Sequence, residues 1–126
     1  MGVDKVTKTV LIVDDEPTVA KTVEFLLKAE GFKVDVVFSG EDCLKKLGSM
    51  EYDVVLLDIM MPKMNGWQVF EEIKKTHPEQ KVAFLTVIKY SEAIREKLNK
   101  DGLAGFITKP FENDDLVNRV KHIADK

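Results

Sequence analysis

The sequence predicts an α/β domain in which a parallel sheet is covered by helices on both faces. Three observations carry this. Short apolar runs such as "VLIV" (10–13), "VVLL" (54–57) and "VAFL" (82–85) show no polar alternation, as expected of strands buried on both faces. The segments between them place apolar residues at helical spacing. The two patterns alternate five times along 126 residues, a length suited to a single domain spanning 1–126, with an ordered core over about 8–124 and a flexible terminus over 1–7.

"TVLIV" (Thr9 to Val13) reads as the first strand. Pro17 suits a first helical turn, Val19, Val23, Leu26 and Leu27 mark the inner face, and Gly31 suits the stop. "KVDVV" (33–37) is a weaker second strand. Ser39 caps a short helix carrying Leu44 and Leu47, with Asp42 completing a capping box. The third strand ends at Asp58, and Asn65-Gly66 turns the chain into a helix with Val69, Phe70 and Ile73 inward. "VAFLT" (Val82 to Thr86) is the fourth strand, and Ser91 caps a helix whose apolar stripe, Ile94 and Leu98, is thin. "AGFIT" (104–108) leads to Lys109-Pro110, and Leu116, Val117, Val120 and Ile123 form the inner face of the last helix. Repeated βα units imply right-handed crossovers and a doubly wound sheet. The pattern leaves strand order open; 2-1-3-4-5 is one of two common choices.

Composition narrows the function. A formal net charge of −3 gives no electrostatic case for nucleic-acid binding. No apolar run is long enough to span a bilayer. The opening residues lack the apolar core of a signal peptide, and Val6 stands where a myristoylation pattern needs Ser or Thr, so a cytoplasmic protein is expected. The single cysteine, Cys43, excludes an internal disulfide and a thiolate metal cluster, and reads as a small helix residue.

The strand ends carry the chemistry. "VLIV" runs into Asp14-Asp15-Glu16, "VVLL" into Asp58, "VAFL" into Thr86 and "GFIT" into Lys109. In a parallel sheet these ends share one edge, where open α/β sheets bind their ligands. Carboxylates gathered there repel one another, and a hard divalent cation such as Mg²⁺, with its preference for oxygen ligands, relieves that repulsion. Such an ion also binds phosphoryl oxygens. A lysine and a hydroxyl beside it stabilise charge on a transferring phosphoryl group, and a carboxylate can serve as nucleophile.

The set "DDE", "LLDIMMPKMNG", Thr86 after the fourth strand, and "KPF" resembles the response-regulator receiver domain, the CheY-like family of two-component signalling, over about residues 8 to 124. The resemblance implies the flavodoxin-like strand order 2-1-3-4-5. It implies Asp58 as phosphoacceptor for a sensor histidine kinase or phosphotransfer protein, not an enzyme. It implies Mg²⁺ (or Mn²⁺) held by Asp14, Asp15, Asp58 and the backbone carbonyl of Met60, with Thr86 and Lys109 contacting the phosphoryl group and Lys109-Pro110 cis. It also implies a switch in which the Thr86 hydroxyl moves toward the phosphoryl group, Phe106 turns inward, and the surface of the fourth helix, fifth strand and fifth helix changes for a downstream protein.

Several features depart from the family pattern. Val87 stands where the family usually has a small residue and would narrow access to the phosphoryl group. Met60 and Ile88 are both apolar, so neither can orient an attacking water, and slow hydrolysis is expected. Ala104 and Gly105 replace the acidic pair that commonly partners Arg119 in charge-paired dimers, which favours a monomer. Lys97, Lys100, Arg119 and Lys121 hint at an acidic partner, and with no output domain in the sequence the chain is expected to act by binding another protein. A haloacid-dehalogenase-type phosphatase needs a second Asp where Met60 stands. An FMN module needs a phosphate loop that "DDEP" would repel. A receiver-shaped binding module that is never phosphorylated is the remaining alternative. Trp67 is expected to be partly packed and near enough to the site to report on it.

Overall fold

The computed structural model describes residues 7–126, without the side chains of Leu98 and Asn99. The expected flexible terminus falls outside the described residues except for Thr7, as does the inward role of Leu98. Five strands, β1 (Thr9–Val13), β2 (Lys33–Val37), β3 (Val54–Leu57), β4 (Val82–Thr86) and β5 (Gly105–Thr108), alternate with five helices. These are α1 (Pro17–Ala29), α2 (Gly40–Ser49), α3 (Gly66–Thr76), α4 (Glu92–Asp101) and α5 (Asn113–Asp125). All strand pairs are parallel and the order is β2-β1-β3-β4-β5, so the expected fold and strand order both hold.

The missing alternation has a direct explanation. Successive residues of a strand point to opposite faces, and here both faces are covered. Val10 and Ile12 of β1, with Val54 and Leu56 of β3, pack against Ala20, Val23 and Leu27 of α1 and Leu116 and Val120 of α5. Leu11, Val13, Val55 and Leu57 pack against Cys43 and Leu47 of α2 and Val69, Phe70 and Ile73 of α3. Each fully buried side chain of this size contributes about 1.5–3 kcal/mol relative to exposure.

Local signals set the helix ends. Pro17 opens α1, and Gly31 ends it at φ +96°, a left-handed conformation that glycine adopts without steric cost. Asn65 and Gln68 form a reciprocal capping box at the start of α3. For α2 only half of the expected box forms: Ser39 Oγ accepts from the Asp42 N–H at 3.1 Å, and no bond returns from the Ser39 N–H to Asp42 among the described residues. Aspartate is one methylene shorter than the glutamate that closes such boxes. Ser91 Oγ accepts from the Ile94 N–H at the start of α4. No described residue of α4 is buried, so its thin stripe seats it only lightly.

Candidate functional site

The register of the sheet builds the site. Val13 lies opposite Leu57 in the β1–β3 pair, so Asp14 and Asp58 leave the sheet side by side. This is also where the strand order reverses, with β2 on one side of β1 and β3 on the other. Thr86 closes β4 and Lys109 follows β5 directly. All four arrive at the carboxyl edge because all five strands run the same way.

Three of the four side chains are buried. Asp14 is 2% exposed, Asp58 3% and Thr86 fully buried, while Asp15 is half-exposed at the rim. The Lys109 ammonium reaches across from β5 to Asp14 Oδ2 at 2.7 Å and lies 3.5 Å from Asp58 Oδ2. The first distance is a charge-assisted hydrogen bond; the second is a looser charge contact. The second Asp14 oxygen accepts from the Glu16 N–H at 2.9 Å, and Asp58 Oδ1 accepts from the Met60 N–H at 3.1 Å. Thr86 Oγ1 accepts from the Ile88 N–H at 3.4 Å. The Lys109–Pro110 peptide is cis.

Burial raises the Asp58 carboxyl above its ordinary value. The Lys109 ammonium and the Met60 N–H oppose this, the neighbouring Asp14 carboxylate adds to it, and the Thr86 hydroxyl opposes it more weakly. Away from the pocket, burial pushes the Cys43 thiol up to about 12. Tyr52 is raised as well, by burial first and then by its hydrogen bond of 2.6 Å to Asp35.

Ligand oxygens of Asp14, Asp15 and Asp58 all lie within 4.8 Å of one another. Oxygens on opposite sides of an octahedral Mg²⁺ are about 4.2 Å apart, from metal–oxygen distances of about 2.1 Å. The carboxylates therefore fit a small hard cation.

Around the pocket, Met60 and Val87 turn outward at 58% and 57% exposure, with Ile88 half-buried behind them. Phe106 sits half-buried between Phe84, 6.2 Å away, and Tyr90, 5.3 Å away, with both ring pairs edge-on. Trp67 is half-buried against the Phe84 edge, 5.0 Å away.

The local pattern carries no sign of the Asp14–Lys109 pair, whose partners are 95 residues apart in the chain. It also overlooked Phe84, although alternation along β4 puts Phe84 on the same face as Thr86. The four cations that hint at an acidic partner are all exposed, and three of them also make contacts within the chain. Lys97 lies 5.1 Å over the Trp67 ring, Lys121 pairs with Glu30 at 2.6 Å, and Arg119 bonds Asp115 and the Phe106 carbonyl. Three of the four cations are thus engaged within the chain.

Fold and pocket together define a class of protein: doubly wound domains that gather acidic side chains and a lysine at the β1/β3 switch point. The family model for the response regulator receiver domain matches residues 10–121. The chain belongs to that family and is the receiver domain of a two-component response regulator. It is 37% identical over 113 residues to the transcriptional regulatory protein DltR of Streptococcus agalactiae, covering 88% of this chain and 49% of DltR. The chain thus spans about half the length of the curated relatives it matches. The response regulator DrrB of Thermotoga maritima, an OmpR/PhoB homolog, superposes with a TM-score of 0.82 at 31% identity, covering 95% of this chain and 54% of DrrB. A CheY-like receiver domain protein from Methanospirillum hungatei gives 0.86 at 27% identity, covering 95% of each chain. Receiver domains are phosphoacceptor switches, not classed as enzymes, and bind Mg²⁺ at a cluster of acidic residues. Among the described residues no helix is long and apolar enough to cross a membrane.

Proposed function

We propose that Asp58 accepts a phosphoryl group from the phosphohistidine of a sensor histidine kinase or phosphotransfer protein, and that the phosphorylated domain alters its α4-β5-α5 surface for a downstream partner. A carboxylate oxygen of Asp58 attacks phosphorus, a P–O bond forms as the P–N bond breaks, and the departing imidazole takes up a proton from solvent. Lys109 and Thr86 stabilise charge on the transferring oxygens from two sides, and the Met60 N–H orients the nucleophile. Mg²⁺ or Mn²⁺, held by Asp14, Asp15 and Asp58 with the Met60 carbonyl, supplies charge neutralisation for both the carboxylates and the phosphoryl group.

The observation that carries this reading is the pocket itself: Asp58, 3% exposed, lies beside Asp14 and Asp15 with Lys109 3.5 Å away. Met60 and Ile88 offer no polar group to an attacking water, so the aspartyl phosphate is expected to persist well beyond seconds. Val87 at the rim disfavours small donors less than its bulk alone would suggest, because its side chain turns to solvent.

Thr86 and Phe106 carry the switch in this reading, with Thr86 moving onto the phosphoryl group and Phe106 following inward. Arg119, already bonded to Asp115 and to the Phe106 carbonyl, supports a monomer over a charge-paired dimer. The net charge of −3 gives these residues no basis for direct contact with nucleic acid. A link to transcription of the kind named for DltR would run through a partner or a further domain.

Intact-mass spectrometry tests the reading, after incubation with acetyl phosphate or a phosphorylated histidine phosphotransfer protein, each with Mg²⁺. A single phosphoryl adduct that disappears without Mg²⁺ and in Asp58→Asn is expected. Folded, Mg²⁺-binding protein that takes an adduct from neither donor would instead be a binding module that keeps the site unused. Decay within seconds would overturn the hydrolysis expectation.

A further inference from the structure

No described side chain of α4 is buried, yet one residue of the helix and one just before it are tied to one ring. Near its C-terminal half the Lys97 ammonium sits 5.1 Å over Trp67 of α3, and Trp67 meets the edge of Phe84 at 5.0 Å. Just before its N-terminus, Tyr90 packs edge-on against Phe106 at 5.3 Å, and Phe106 meets the other side of Phe84 at 6.2 Å. Lys97, Trp67, Phe84, Phe106 and Tyr90 thus form a chain of contacts that runs from α4 through Phe84 back to the segment just before α4. Its centre, the fully buried Phe84, lies two residues from Thr86 on the same face of β4.

We propose that Lys97 and Trp67 form a latch holding α4 against α3, and that phosphorylation of Asp58 opens it. The latch itself stands on the contacts above; its opening rests on the phosphoacceptor reading. Interiors are close-packed, so a shift of Thr86 and Phe106 toward the pocket displaces the rings that meet Phe84. Tyr90 loses its seat on Phe106, and among the described contacts of α4 those of half-buried Ile94 and of Lys97 remain. A cation over an indole at an exposed site shifts an equilibrium by about two- to five-fold. That is enough to bias α4 and too little to lock it. Lys97 is therefore a positioning residue, remote from the reacting atoms.

The test compares K97Q, which removes the cation at nearly unchanged helix propensity, with K97R, which keeps it. Hydrogen–deuterium exchange is read across residues 92–101 in unphosphorylated protein. K97Q is expected to exchange about two- to five-fold faster in α4 with α5 unchanged, and K97R to match the unsubstituted protein. Equal α4 exchange in K97Q and the unsubstituted protein, or K97R as fast as K97Q, would overturn the latch. Trp67 is the only tryptophan, so its fluorescence reads the coupling directly. Beryllofluoride, used to activate the DrrB receiver domain, is expected with Mg²⁺ to change Trp67 emission in the unsubstituted protein and less in K97Q. Unchanged emission in protein that does accept a phosphoryl group would overturn the coupling. Failure to accept one would count against the phosphoacceptor reading, and the exchange comparison would still decide the latch.

Discussion

Helices α4 and α5 flank the same strand, β5, and are held in opposite ways. Leu116, Val117, Val120, Ile123 and Ala124 of α5 are buried. Its C-terminal carbonyls at Ile123, Ala124 and Lys126 accept from the Lys81 ammonium, which projects from the start of β4, and Lys121 ties it to Glu30 at the end of α1. For α4 the described side chains offer half-buried Ile94, the Lys97–Trp67 contact and an ion pair within the helix, Arg95 to Glu92. One helix is part of the frame and the other rests on it. A responsive surface needs that inequality, because elements that move are drawn from the least stable part of a fold.

The largest expected effect tests the frame. Leu116→Ala empties a fully buried position and should cost about 2–5 kcal/mol in urea unfolding, whereas Ile94→Ala, half-exposed, should cost less than about 1.5 kcal/mol. Equal costs would break the comparison. A smaller effect concerns the rigid side at α2. Folding raises the Cys43 thiol from its ordinary 9.0 to about 12 by favouring the neutral form. Its contribution is therefore complete below pH 9 and is lost as pH rises through 12. Cys43→Ala should lose less stability between pH 8 and pH 11 than the unsubstituted protein, as read from urea midpoints. Tyr52 is raised in both proteins, and because Cys43 adds to that rise, the loss of Cys43 in the variant acts in the same direction. The smallest effect sharpens the comparison at the α5 terminus. Lys81→Met removes a cation from the last carbonyls and should cost about 0.5–1 kcal/mol, with faster amide exchange confined to the end of α5.

Much of the frame was legible because it rests on local rules. Four apolar residues before Asp58 announce a strand buried on both faces, and Pro17, Gly31 and Asn65-Gly66 mark helix ends by backbone chemistry alone. Asp14, Asp58, Thr86 and Lys109 could be grouped because parallel strands deliver their ends to one edge. What stayed hidden depends on three-dimensional partners. Lys97, Arg119 and Lys121 read as open charges because their partners are a ring, a carbonyl and a glutamate on other elements. Ala20 and Cys43 are fully buried, but small residues contribute little to a hydrophobic pattern. Phe84 disappears within a uniformly apolar strand, although it links Trp67 to Phe106.

At Gly66 the N–H of the first residue of α3 donates to the Ile59 carbonyl at 2.9 Å, and a Cβ there would come within 2.4 Å of the Asp58 carbonyl oxygen. Every glycine codon is a single base change from an alanine codon. The smallest drift available to this position would therefore press first on the backbone of Asp58, so with Asp58 as the proposed phosphoacceptor, selection on signalling would remove it even in a lineage whose folded protein could tolerate the strain.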